Sequence, residues 1–149
     1  MAASNGRYSV EFTGNFAILW MKNVENRFNI SSVRDLHNAL DQVESNTDVK
    51  FLIITGEGKF FSNGLDLDKI VQLNEEDMET FLYDIHSLHA RILTFPLPTI
   101  AALNGHTYAG GATFALCHDY RIMRTKQGWF CLPEINLRLR FSPLMTSII

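Results

Sequence analysis

Three groups of residues in this chain could do chemistry together. Glu134 stands between Pro133 and Ile135 in the mainly apolar run from Trp129 to Leu137. Burial raises a carboxyl pKa, so a glutamate in that setting would be a better general base near neutrality than one on an exposed loop. Upstream, Ser62-Asn63-Gly64-Leu65-Asp66 is a glycine turn. Glycine accepts positive φ and lets a ligand come close to the backbone, so the next N–H, that of Leu65, can point outward instead of joining a ladder. A second glycine turn, Tyr108-Ala109-Gly110-Gly111, follows Asn104-Gly105-His106 and opens an apolar helix, leaving N–H groups without helical partners, Gly110 foremost. Two N–H groups aimed at one point, with one carboxylate beside them, would suit carbon-acid chemistry. Each group also has a plain structural reading: a strand-to-helix loop with Asp66 as cap or turn residue, close helix–strand packing at the glycines, and an inert surface glutamate.

These groups need elements to hold them. Tyr8 to Phe12 and Phe16 to Met21 are β-rich runs around Thr13-Gly14-Asn15, which predicts a hairpin. An open polar loop over 22–29 follows. From an N-cap at Ser31 or Ser32, the residues Val33, Leu36, Leu40 and Val43 recur at helical spacing. Phe51 to Thr55 reads as a strand buried on both faces and stopped by Gly56 and Gly58. Asn74-Glu75-Glu76-Asp77 opens a second helix with the stripe Phe81, Ile85, Leu88 and Ile92, ended by Pro96 and Pro98. Thr99 to Leu103 is a strand, Gly110 to His118 a short helix, Tyr120 to Met123 a strand, and Trp129 to Leu132 one more. The alternation implies an α/β domain with parallel pairings, undivided over 1–149. His37, His86 and His89 read as helix-surface or flanking residues, His118 as a helix C-terminal residue suited to the dipole, and His106 as solvated or packing.

Composition narrows the function. Of 149 residues, 46% are hydrophobic and 19% charged, and the net charge of -3 leaves no basic footprint for nucleic acid. Cys117 and Cys131 sit among apolar residues and read as reduced thiols of an intracellular protein, with no metal site expected. No run approaches the ~20 apolar residues of a membrane span, and the N-terminus lacks a secretory core. Gly56-Glu57-Gly58-Lys59 lacks phosphate-loop spacing, and neither G-x-G-x-x-G nor G-x-S-x-G occurs. The final FSPLMTSII breaks off in an apolar run and reads as a truncated or alternative end.

The segments LIITGEGKFFSNGLDLDKI, IAALNGHTYAGGATFALCHDYRIM and WFCLPEINL resemble the crotonase, or enoyl-CoA hydratase/isomerase, family. That resemblance implies a crotonase-like spiral of ββα units, here without its C-terminal helical region, and an acyl-coenzyme A thioester as substrate with no cofactor. Leu65 and Gly110 would supply the N–H groups that polarise the thioester carbonyl. Phe61, Ser62, Asn63, Gly64, Asp66 and Leu67 would border coenzyme A, with Gly111 and Thr113 completing the substrate site. Hydratases of the family carry two glutamates; here Glu134 matches the second, and Thr113 replaces the first. Thr113 cannot act as a carboxylate base. The resemblance therefore implies a Δ3,Δ2-enoyl-CoA isomerase of fatty-acid oxidation, peroxisomal or cytoplasmic, and homotrimeric in a full-length form. A hydratase or other enolate-forming enzyme is the alternative, and an inactive acyl-CoA-binding fragment a third reading. Arg138 stands where the family usually has a glycine, which motivates that third reading.

Overall fold

The computed structural model describes residues 6–138 and 140–149. The hairpin forms as β1 (Tyr8–Thr13) and β2 (Phe16–Met21), paired antiparallel around the turn at Gly14. Helix α1 (Ile30–Glu44) begins one residue before the expected serines. Asn29 is the cap: its side chain accepts from the Ser32 N–H at 3.1 Å, and the Ser32 hydroxyl accepts from the Asn29 N–H at 2.7 Å. Ser32 is thus the reciprocal third residue of a capping box, and Ser31 only braces the Asn29 side chain.

The chain then climbs by alternating between two sheets. Strand β3 (Phe51–Gly56) lies in a large sheet of order β1-β2-β3-β5-β7, and β4 (Phe60–Ser62) in a small one of order β4-β6-β8. A four-residue helix α2 (Leu67–Ile70) and the long α3 (Glu75–Leu93) return the chain to β5 (Thr99–Leu103). Next come β6 (His106–Tyr108), α4 (Gly110–Leu116), β7 (Tyr120–Met123) and β8 (Phe130–Cys131). A 3-10 turn (Pro133–Leu137) and α5 (Pro143–Ile148) complete the described chain. Apart from the hairpin, the strand pairs are parallel. This is the spiral of ββα units that the motifs imply. Strands β4 and β6 and helix α2 were not expected, because three- and four-residue elements are too short to show a period.

Leu36 and Leu40 of α1, Leu52 and Ile54 of β3, and Phe81, Ile85 and Leu88 of α3 are fully buried or nearly so. Arg91 clamps α3 to α1, reaching Asp41 and Glu44 at 2.6 Å each. Two of the histidines differ from expectation. His89 and His118 are buried, and burial first of all pushes both down to about 4, so neither is a surface or dipole-complementing cation. Phe114 lies edge-on to both rings. His106 packs, stacked on Tyr108 and tilted against Phe60.

Candidate active site

The C-terminal ends of β4, β6 and β8 deliver the three chemical groups side by side, because these strands are parallel neighbours in the small sheet. The first turn is held by the loop over 22–29, which is a strap and not an open connection. Asn26, itself at φ 49, donates from its side chain to the carbonyls of Phe60 and Phe61 at 3.1 and 3.0 Å. The Ser62 hydroxyl returns a bond to the Asn26 carbonyl at 2.7 Å. Phe28 N–H donates to the Gly64 carbonyl, and Asp66 N–H to the Phe28 carbonyl, at 2.8 Å each. Gly64 turns at φ +79 between these bonds, and the Leu65 N–H is left without a protein acceptor among the described residues.

The second turn rests on the first. A Cβ placed on Gly64 would lie 2.9 Å from the Gly110 nitrogen and 3.0 Å from the Tyr108 carbonyl oxygen. One on Gly111 would meet the Ser62 carbonyl oxygen at 2.6 Å. Ala109 takes φ 48 and ψ -123, a strained setting for a residue with a side chain, and its N–H donates to the Cys131 carbonyl at 2.9 Å. That bond ties β6 to β8 two residues before Pro133. The Gly110 N–H, like that of Leu65, makes no bond among the described residues.

Glu134 closes the arrangement from the 3-10 turn. Its Oε2 is shut off from solvent and has no hydrogen-bond partner among the described residues. A buried carboxylate oxygen left unpaired is costly unless something else uses it. Glu134, Leu65 and Gly110 together line a cleft of about 660 Å³, within the range of small-molecule sites. Asn63 and Leu67 also line it. Phe61, Ser62, Gly64, Asp66, Gly111 and Thr113 do not. Phe61, Ser62, Gly64 and Gly111 are buried as the packed floor beneath the two turns. Asp66 instead takes a bond from the Asn29 side chain at 3.1 Å and pairs with Lys69 at 3.6 Å. The Thr113 hydroxyl donates within 3.0 Å of the Gly110 carbonyl and lies 3.2 Å from His89 Nε2, both in the core.

Sequence reasoning missed several walls of this cleft: Arg27, Tyr108 and Cys131, and the terminal residues Arg140, Phe141 and Met145. Cys131 could have been anticipated, since it precedes Glu134 by three residues across Pro133. Arg27 is held at the rim by Glu25 at 2.5 Å and Asp68 at 3.1 Å. The Asn63 amide, with Arg27, holds the Glu25 carboxyl below the usual range. Arg138, just past the 3-10 turn, adopts φ 54, the left-handed region that favours glycine.

The cleft carries two unclaimed N–H groups and one carboxylate on a spiral of ββα units, and comparison with known proteins identifies the family. The profile described as enoyl-CoA hydratase/isomerase matches residues 13–141, and the chain belongs to that family. Enoyl-CoA delta isomerase 3 of Arabidopsis thaliana is 36% identical over 129 residues, covering 84% of this chain and 54% of the relative. The Arabidopsis protein named enoyl-CoA delta isomerase 1, peroxisomal, is 35% identical, covering 77% and 48%. Among solved structures, an enoyl-CoA hydratase from Bacillus anthracis superposes with a TM-score of 0.82 at 27% identity, covering 89% of this chain and 53% of that one. The chain thus spans about half the length of the curated relatives it matches.

Proposed function

We propose that this cleft isomerises 3-enoyl-CoA to 2-trans-enoyl-CoA with Glu134 as the one base. The thioester oxygen would sit between the Leu65 and Gly110 N–H groups, which makes the C2 proton acidic by stabilising the dienolate. Glu134 takes that proton from C2 and, now protonated, returns one at C4, so the double bond moves without gain or loss of atoms. Each such donor is typically worth about 3–4 kcal/mol of barrier. The observation that carries this reading is the fate of position 113. Hydration needs one group to activate water and another to manage the α-proton, and Thr113 supplies only a hydroxyl turned onto the Gly110 carbonyl. Asp68, the other carboxylate on the cleft, is 87% exposed at the mouth and paired with Arg27.

Relatives named delta isomerases match at 34–36% identity over 77–84% of this chain, and relatives named hydratases at 35–37% over 70–74%, so the names favour the isomerase by coverage and not by identity. Two of the isomerases are named peroxisomal, which favours that compartment over the cytoplasm. A trimer is proposed for a longer form. A binding-only reading draws on Arg138, whose left-handed backbone follows the turn that carries Glu134. The test is turnover of 3-enoyl-CoA by the wild type and by Glu134→Gln. The variant should lose about 10²–10⁴-fold in kcat with acyl-CoA affinity retained. Equal turnover would remove Glu134 from its role, and acyl-CoA binding without wild-type turnover would leave only the binding reading.

A further inference from the structure

A second cavity lies at the opposite ends of the small-sheet strands. There the turns before β4, β6 and β8 are gathered by backbone contact. The His106 N–H donates to the Lys59 carbonyl at 3.0 Å, and the Thr107 N–H to the Trp129 carbonyl at 2.9 Å. The Asn104 side chain donates to the Gly58 carbonyl at 3.0 Å. Glycines make the approach this close: a Cβ on Gly105 would fall 2.0 Å from the Lys59 carbonyl oxygen, and one on Gly128 would fall 2.7 Å from the Gly105 carbonyl carbon. The floor is therefore fixed backbone drawn from three successive units of the spiral.

The cavity measures about 550 Å³ and shares no lining residue with the cleft of Glu134. Lys59, Arg124 and Lys126 stand around it with His106 and Trp129, and no carboxylate lines it. None of the three cations forms an ion pair among the described residues, so their charge is not neutralised by a neighbouring carboxylate. In a chain with 16 acidic and 13 basic residues, three cations and no acid among the residues that line one concavity is an uneven distribution. Three positive side chains over a backbone floor suit an anion with several oxygens, and three cations match the higher charge of a diphosphate better than that of a single carboxylate.

We propose that this cavity binds a compact polyanion of the pyrophosphate class, held by Arg124, Lys59 and Lys126. Trp129, 69% exposed at the rim, is its natural reporter and a platform for a flat ring carried on the same ligand. The inference does not rest on the isomerase reading.

The probe is inorganic pyrophosphate, titrated into the full chain at constant ionic strength by calorimetry and tryptophan fluorescence. A dissociation constant below about 1 mM, an emission change lost in Trp129→Phe, and affinity weakened by about tenfold or more in the double variant Arg124→Ser/Lys126→Ser are expected. Both replaced side chains are exposed, and circular dichroism checks that the fold is kept. ADP in place of pyrophosphate separates sources: tighter binding that Trp129→Ala abolishes assigns a nucleotide, and equal binding assigns the bare diphosphate group. Affinity unchanged in the double variant would mean that the anion sits elsewhere, for instance beside Arg27 and Arg140, and would overturn the proposal. So would an effect that sodium chloride of equal ionic strength reproduces.

Discussion

Replacing Gly64 by alanine tests whether the two glycine turns form one device. The new Cβ would lie 2.9 Å from the Gly110 nitrogen, 3.0 Å from the Ala109 Cβ and 3.0 Å from the Tyr108 carbonyl oxygen. Those atoms belong to the second turn, mostly to its backbone, so no flexible side chain can swing aside. The residue must also hold φ +79, which costs a residue with a side chain roughly 1–2 kcal/mol. Crowding of this kind adds typically 1–3 kcal/mol. The relief available is to part the turns, which would move the Leu65 and Gly110 N–H groups away from the position proposed for the thioester oxygen. Losing one such donor costs about 10²–10³-fold in kcat. Gly14→Ala is the matched control: it has φ +56 in the β1–β2 turn and nothing within 4 Å of the added atom, so it carries strain without collision. We expect Gly64→Ala to melt several degrees lower and to lose at least about 10²-fold in kcat for 3-enoyl-CoA. Gly14→Ala should lose only about 2–4 °C for each kcal/mol of strain and keep kcat. Folded Gly64→Ala protein turning over within threefold of wild type would refute the coupling of the turns.

The buried histidines make stability fall on the acid side. His89 and His118 bind a proton more weakly folded, at about 4, than unfolded, near 6.5. The unfolded chain therefore gains protons first as pH drops, so their contribution is full above about 6.5 and is lost as pH falls toward 4. Between pH 7 and 4.5 each should withdraw about 2–3 kcal/mol, read as a falling urea midpoint, and a flat profile would contradict the burial of these rings. The two thiols should differ as well. Cys117 is buried and pushed up to about 12, while Cys131 is half-buried on the cleft wall. N-ethylmaleimide at pH 8 should label Cys131 alone and more slowly with acyl-CoA present; equal labelling of Cys117 would contradict its placement.

What could be read from the residues follows from how locally each feature is encoded. The stripe of α3 and the apolar run of β3 announce themselves by period and length, and Gly64 by a backbone need that few other residues meet. The remaining parts depend on pairing between distant segments. Asn26 and Phe28 looked like an open loop because nothing nearby shows that Phe28 and Asn26 will bond to the segment over 60–66. His89 looked exposed because its helical spacing is compatible with either face, and only the approach of Phe114 and Thr113 decides for the core. Thr113 shows the distinction most clearly. Its type correctly says that no carboxylate stands at that position, and that already weighs against a two-base reaction. Its place in the core, with the hydroxyl on the Gly110 carbonyl, adds that the position braces the turn from behind and leaves Glu134 as the inner wall's one carboxylate among the described residues. The proposed subclass therefore rests on the absence of one functional group, whereas the role that replaced it emerges only when Thr113 of helix α4 is seen bonded back onto the Gly110 carbonyl and set against His89.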